Sequence, residues 1–211
     1  MEYLDILKAR STTFSWKPDQ VPVEIIREVC EEVYNYAPSK NRKIPYVVDI
    51  IDNTDPEMRK QIHTMCHRNT DHNMMIDKGN PQVLAPTLLA FSTRDVVYEE
   101  TKFQTIEQRP GIGIANTDNI EIGIAAVSFI YGFTSRGIDT GLCQCIRDAE
   151  GMAKLIGADR RTNLFIGIGY REPHPLYIDP RTDRSRRIPY AYGENPYPRP
   201  AFEDVYKIRV K

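Results

Sequence analysis

The sequence predicts an α+β domain, a central mixed sheet flanked by helices, and three observations predict it. Short β-branched runs alternate with longer stretches of helical spacing, one of those stretches is apolar almost all round, and no self-similar period suggests a repeat protein. At 211 residues the chain is below the length, roughly 250 residues, at which one core gives way to several. Residues 1–211 are therefore expected to form one domain, with 172–211 as a C-terminal arm.

Each element has a local reason. Tyr3 to Ala9, with Leu4 and Leu7 three apart, predicts a short helix ending at the polar run Arg10-Ser11-Thr12-Thr13. Pro22 is expected to open a second helix, since Ile25, Ile26, Val29, Cys30 and Val33 share one face, and Pro38 to stop it. Tyr46 to Ile51 is a short β-branched strand, and Thr54-x-x-Glu57 predicts a capping box opening a helix with Met58, Ile62 and Met65 inward. Leu84 to Phe91 holds a second buried strand, entered through Ala85-Pro86.

From Asp118 a helix rich in Ile, Ala and Phe belongs at the centre, with Gly123, Ala125 and Ala126 permitting close neighbours. Gly137 to Cys145 follows as a glycine-bearing loop. A helix from about Arg147 to Ile156, capped by Gly157, leads to the strand Leu164 to Tyr170. The remaining Pro-, Tyr- and Arg-rich tail is too long for a passive loop, and is expected to wrap a partner subunit or to be partly mobile.

Composition narrows function. With 28 basic against 29 acidic residues and a net charge of -1, no long-range field favours nucleic acid or an anionic membrane. The apolar run Ile122 to Phe133 is well short of the roughly 20 residues that span a bilayer. The start, with Glu2 and Asp5, lacks the pattern of a signal peptide, so a cytoplasmic location is expected, with Cys30, Cys66, Cys143 and Cys145 as reduced thiols.

Three separated stretches suggest binding chemistry. Arg10-Ser11-Thr12 offers a guanidinium and two hydroxyls to a phosphate. Ala37 to Tyr46, with Ser39, Lys40 and Asn41, is a polar loop between a helix and a strand, where a rigid sheet can position a ligand. Gly137 to Cys145 brings backbone amides close to whatever lies there. Taken singly, each is read as an ordinary solvated loop.

Other features favour plain readings. Gly111 to Asn116 lacks the third glycine of a dinucleotide loop. His63, Cys66, His67 and His72 lack a second cluster with ligand spacing, so no metal is expected. Cys143-x-Cys145 is too close for a Cys-x-x-Cys motif and is read as packing. The basic run Arg181 to Arg187 is read as a solvated loop.

In chain order these segments resemble the nitroreductase-like family, and the resemblance covers nearly the whole chain. Ala9 to Phe14 is similar to its Arg-Arg-Ser-x-Arg-x-Phe pattern, with Ala9 and Thr13 in place of two arginines. Ala37 to Tyr46 resembles Ala-Pro-Ser-x-x-Asn-x-Gln-Pro-Trp, with Asn41 one residue early and Ile44-Pro45-Tyr46 closing it. Ala85-Pro86, Asp118, the Gly137 to Cys145 stretch and Ile166 to Tyr170 follow in the family's sequence.

The resemblance implies a three-layer fold, a domain-swapped homodimer, and FMN at the subunit interface. Carried over, it places Arg10, Ser11 and Thr12 at the FMN phosphate and ribityl chain, with Arg199 approaching from the tail. Ser39 and Asn41 would line the flavin from the same or the partner subunit. Lys40, Arg42 or Lys43 would compensate for the missing arginines, and the backbone at Leu142, Gln144 and Cys145 would face the reactive edge. The implied activity is electron transfer from NAD(P)H to an oxidised organic acceptor, a nitroaromatic or a quinone, by ping-pong kinetics. Arg94 to Asn116, with Tyr98 and Phe103, would supply an arm or lid. A non-catalytic FMN-binding or interaction protein is the alternative, and a helical protein-binding module without cofactor a third.

Overall fold

The computed structural model describes residues 2–39, 42–66, 79–94, 114–172 and 205. The chain divides into two units, Met1–Pro173 and His174–Lys211, and the first holds every element named below.

In chain order these are α1 (Tyr3–Ala9), α2 (Val23–Tyr36), β1 (Tyr46–Asp52), α3 (Pro56–Met65), a 3-10 turn at Pro81–Leu84, β2 (Thr87–Thr93), α4 (Ile114–Ser135), β3 (Asp139–Cys143), α5 (Ala149–Ile156) and β4 (Thr162–Gly169). The strands form one sheet in the order β1-β2-β4-β3. All its pairings are antiparallel, which corrects the expectation of a mixed sheet. Here α3 is followed by the 3-10 turn, which returns the chain to the end of the sheet that β1 left, so β2 runs back beside it.

The central strands are buried on both faces, and alternation along them divides two cores. Leu89 and Phe91 of β2, with Leu164, Ile166 and Ile168 of β4, pack under α2 and α4. Leu88, Ala90 and Phe165 face the opposite way, onto Ile62 of α3, Val83 and Met152 of α5. Helices on one face, the sheet, then helices on the other make three layers. Phe129 ties the first layer down: its ring meets Phe91 edge-on at 5.7 Å and stacks near Phe133 at 6.3 Å. A fully buried side chain of this size contributes roughly 1.5–3 kcal/mol.

Helix ends differ in detail from the sequence reading. Asp55, not Thr54, caps α3: its Oδ1 accepts from the Met58 N–H at 2.7 Å, and Pro56 takes the first position, where no amide hydrogen is needed. Pro22 is the residue before α2 rather than its first. Asp148 caps α5 by accepting from the Gly151 N–H at 2.8 Å, so the helix opens after Arg147. Gly157 ends it at φ 71°, as its position predicted.

Candidate functional site

The first polar stretch is built onto the sheet. Beyond α1, Thr12 makes a parallel bridge to Thr140 of β3, and the Thr13 N–H donates to the Thr140 carbonyl at 3.0 Å. Trp16 then bridges Arg171, and the Lys17 N–H donates to the Tyr170 carbonyl at 2.8 Å. The segment from Ser11 to Lys17 thus crosses the ends of β3 and β4.

Trp16 anchors it. Its ring lies against Gly141, Gly167 and Gly169, which occupy one patch because Gly141 pairs with Gly167 and Asp139 with Gly169. A β-carbon at Gly141 would stand 2.8 Å from the Thr13 carbonyl oxygen and 3.0 Å from the indole. Its Nε1 donates to the Pro81 carbonyl at 3.0 Å. Absent side chains are what let an aromatic residue and a backbone segment lie this close to the sheet.

Beside Trp16 stands a charged group that the sequence reading did not single out. One nitrogen of the Arg171 guanidinium donates to the Ser11 hydroxyl oxygen and, at 2.6 Å, to Asp139 Oδ1; the Arg171 N–H donates to Asp139 Oδ2 at 3.0 Å. Ser11 is buried and Arg171 nearly so. A charge-assisted network at this depth fixes the Ser11 hydroxyl against the end of β3. Arg10 and Thr12 flank it. Together they place a buried hydroxyl, a second hydroxyl and two guanidinium-bearing residues on adjoining backbone, the donor chemistry that a phosphate takes.

The third stretch is not a loop from end to end: Asp139–Cys143 is strand β3, paired from Asp139↔Gly169 to Cys143↔Phe165. Glycine and cysteine had suggested irregular backbone, but pairing with an apolar β4 prevails over weak local propensity. The consequence is alternation. Leu142 and Gln144 are exposed, while Cys143 is buried and Cys145 half-buried on the other side. The Leu142 and Gln144 side chains therefore border the open side.

The second stretch lies elsewhere. Ser39 Oγ donates to Glu121 Oε2 of α4 at 2.6 Å and accepts from the Ile44 N–H at 3.0 Å. Glu121 is buried, and burial of the Tyr46 phenol, helped by the Glu121 carboxylate, pushes that phenol up. Arg42 and Ile44 hold positive φ of 55° and 43°, a rare conformation for a β-branched residue. Arg94 pins the loop by donating to the Ile44 carbonyl at 2.6 Å and the Lys43 carbonyl at 2.9 Å.

Within one chain the first and third stretches meet at Thr12 and Thr140, and the second does not join them. Glu121 and the C-terminal end of α4 at Ser135, after which β3 begins, are separated by about 20 Å at 1.5 Å per helical residue. Lys40, Asn41 and Arg199 lie outside the described residues, as do His67, His72, most of Arg94 to Asn116, and nearly all of the arm 172–211. His63 packs its ring against Gly79. Among the described residues no group of three His, Cys, Asp or Glu is placed to hold a metal ion, and no helix is long and apolar enough to cross a membrane.

Arg171, Asp139, Trp16 and Glu121 went unnoticed in the sequence. The one signal for the first three was the glycine spacing in Ile166 to Gly169 with Gly141, which marks close approach without saying what approaches.

No protein-family model matches the chain, and no curated protein does. Solved structures do resemble it. A nitroreductase family protein from Streptococcus pneumoniae TIGR4 superposes with a TM-score of 0.68 at 16% identity, covering 99% of this chain and 100% of that one. A putative NAD(P)H:FMN oxidoreductase from Staphylococcus epidermidis ATCC 12228 does so at 0.64 and 16%, covering 99% and 96%. An FMN-dependent nitroreductase from Mycobacterium smegmatis, crystallised in complex with NADPH, gives 0.62 and 15%, covering 98% and 97%. The described residues have the nitroreductase-like fold.

Proposed function

We propose that this chain is an FMN-dependent oxidoreductase that moves electrons from NAD(P)H to an oxidised organic acceptor, and that it works as a domain-swapped homodimer. The observation that carries this reading is the Arg10–Thr12 segment, fixed against β3 beside the open side of Leu142 and Gln144, in a fold shared with an FMN-dependent nitroreductase and with a nitroreductase that has FMN bound.

The donor set suits the cofactor. Arg10, Ser11 and Thr12 would hold the phosphate, with Arg171 and Asp139 orienting the Ser11 hydroxyl. Arg199 would add charge from the tail. When bound, FMN would supply the hydride-accepting and electron-donating chemistry for a nicotinamide and an acceptor that occupy the same place in turn, the basis of ping-pong kinetics. The chain's own task is to seat both partners in turn over the side bordered by Leu142 and Gln144. Backbone amides there would steady negative charge, and no side-chain acid or base is required.

Two copies are invoked because one chain keeps Ser39 about 20 Å of helix from the first stretch. Apolar side chains are also exposed on α1 and α4: Tyr3, Leu4 and Leu7, and Ile120 and Val127 on either side of Gly123. Such a face suits a second copy. The arm 172–211 and the Arg94 to Asn116 segment are assigned to wrapping and covering.

A binding-only reading has one observation in its favour: Ser39, assigned to the flavin, engages its hydroxyl with Glu121 and Ile44. The experiment that separates the two is a visible spectrum of the purified protein, followed by NADH or NADPH without oxygen. Bleaching of a flavin band supports catalysis; a yellow protein that neither nicotinamide bleaches supports binding alone. Colourless protein whose melting temperature FMN does not raise refutes both. Sedimentation as a monomer holding stoichiometric FMN refutes the shared site.

A further inference from the structure

Three of the four cysteines converge from separate parts of the chain. Cys66 ends α3 and makes an antiparallel bridge to Ile146, which brings it beside the end of β3. Its thiol hydrogen-bonds the Cys143 sulfur. Asn80 reaches in from the other side: its Nδ2 lies 3.3 Å from Cys143 Sγ and 3.6 Å from Cys145 Sγ. Its Oδ1 meanwhile accepts from the Gln82 N–H at 3.0 Å and its Nδ2 donates to Gln82 Oε1 at 2.7 Å, so the amide is held with its second hydrogen toward the sulfurs.

This is not the surrounding of an inert core thiol. Burial alone raises a thiol's pKa, as it chiefly does for Cys30, and Cys66 is raised first by its hydrogen bond to Cys143 and then by burial. Cys143, although buried, is lowered to about 7, chiefly by the Cys66 hydrogen bond, helped by the Cys145 backbone and side chain and by Asn80. A thiolate at Cys143 and a thiol hydrogen-bonded to it at Cys66 are the two halves of a disulfide-forming pair.

We propose that Cys143 and Cys66 form a peroxide-sensitive thiol pair, which closes to a disulfide joining the end of α3 to the end of β3. The Cys143 thiolate attacks hydrogen peroxide; the O–O bond breaks, one oxygen stays as the sulfenic acid, and the other leaves as water after taking a proton. Cys66 sulfur then attacks the sulfenic sulfur, its proton leaves with the hydroxyl as a second water, and the S–S bond forms. Two thiols lose two electrons in total and the peroxide gains them. Cys145 is not the partner, because an extended i, i+2 pair spans about 6.6 Å, at the upper end of disulfide reach. The disulfide would fix the backbone immediately before Gln144, and the site stands whether or not the chain carries FMN.

The test treats the purified, reduced full chain with a few equivalents of hydrogen peroxide, alkylates the remaining thiols and maps the peptides by mass spectrometry. A dithiothreitol-reversible link between the Cys66 and Cys143 peptides is expected. In Cys66→Ala the link disappears and a sulfenic acid at Cys143 is trapped by dimedone, whereas Cys145→Ser retains the link. Asn80→Asp keeps the acceptor for the Gln82 N–H but replaces the donor to Gln82 Oε1 and to the sulfurs with negative charge, and slows oxidation at pH 7 on the order of tenfold, the equivalent of one pKa unit. A link containing Cys30, a link from Cys143 to Cys145, or oxidation that stops at sulfinic acid in the wild type would overturn the proposal. Should Cys66→Ala fail to fold, the wild-type peptide map decides alone.

Discussion

Replacing Gly141 by alanine tests the packing and the site in one experiment. The new β-carbon would stand 2.8 Å from the Thr13 carbonyl oxygen, 3.0 Å from the Trp16 ring and 3.2 Å from the Gln82 β-carbon. Ordinary carbon contacts begin near 3.5 Å, so the neighbours must retreat by several tenths of an ångström. The two nearest are not free to do so. Thr13 is fully buried and its N–H is bonded to Thr140, while the Trp16 indole is bonded to Pro81. Overpacking against fixed neighbours costs about 1–3 kcal/mol. For a domain of this size that is a fall in melting temperature of roughly 2–12 °C. If FMN is held by Arg10 to Thr12, a displaced Thr13 also shifts the donors, and FMN affinity is expected to fall on the order of tenfold, or 1.4 kcal/mol. Urea unfolding and a flavin-fluorescence titration measure the two effects. A Gly141→Ala protein within about 0.5 kcal/mol of wild type and unchanged in FMN affinity would refute the argument that glycine seats this segment. Loss of stability with unchanged affinity would remove only the site assignment.

Other substitutions separate the contributions. Gly157→Ala meets nothing within 4 Å, so only its φ of 71° opposes a side chain; the expected loss is about 1 kcal/mol, with FMN affinity unaltered in the same titration. Phe133→Ala removes a fully buried ring stacked near Phe129 and should cost about 3–5 kcal/mol in urea unfolding. Asp49, whose carboxyl is pushed up by burial and by Asp159, binds its proton more readily folded than unfolded. Its charge therefore opposes folding above the folded pKa, and the penalty vanishes as pH falls below the unfolded pKa. Asp49→Asn should raise stability at pH 7 by less than about 1 kcal/mol and leave it unchanged near pH 3; equal gains at both pH values would contradict the assignment.

How much of this was legible in the sequence depends on the range of the interaction that decides it. α1 was read to the residue, because Leu4 and Leu7 and the following polar run are local signals. The central helix was found from its apolar composition, but starts at Ile114 rather than Asp118. Strand direction was missed for a different reason: it depends on where α3 and the 3-10 turn return the chain, and no residue of β1 or β2 encodes that alone. The cap at Asp55 shows competition between near equals, Thr54 and Asp55 being adjacent oxygen acceptors. Pro56 decided between them by taking the first helical position.

The candidate site divides along the same line. Ser11 was chosen from its neighbours in sequence, and the structure supplies what holds it: a guanidinium 160 residues away and a carboxylate 32 residues from that guanidinium. An arginine directly after a buried strand has no pattern to mark it, so Arg171 becomes visible only when β4 is laid beside β3 and the first segment is laid across both. Here the three glycines matter more than the charges. With side chains at Gly141, Gly167 and Gly169, Trp16 would lose its seat and Thr13 its line of approach to Thr140. The Arg171–Asp139 pair would then have no Ser11 to hold. The donor set is therefore a consequence of close backbone packing, which explains how the segment proposed to hold the phosphate, with Ala9 and Thr13 in place of arginines, can keep its position: its geometry is fixed by what the sheet omits.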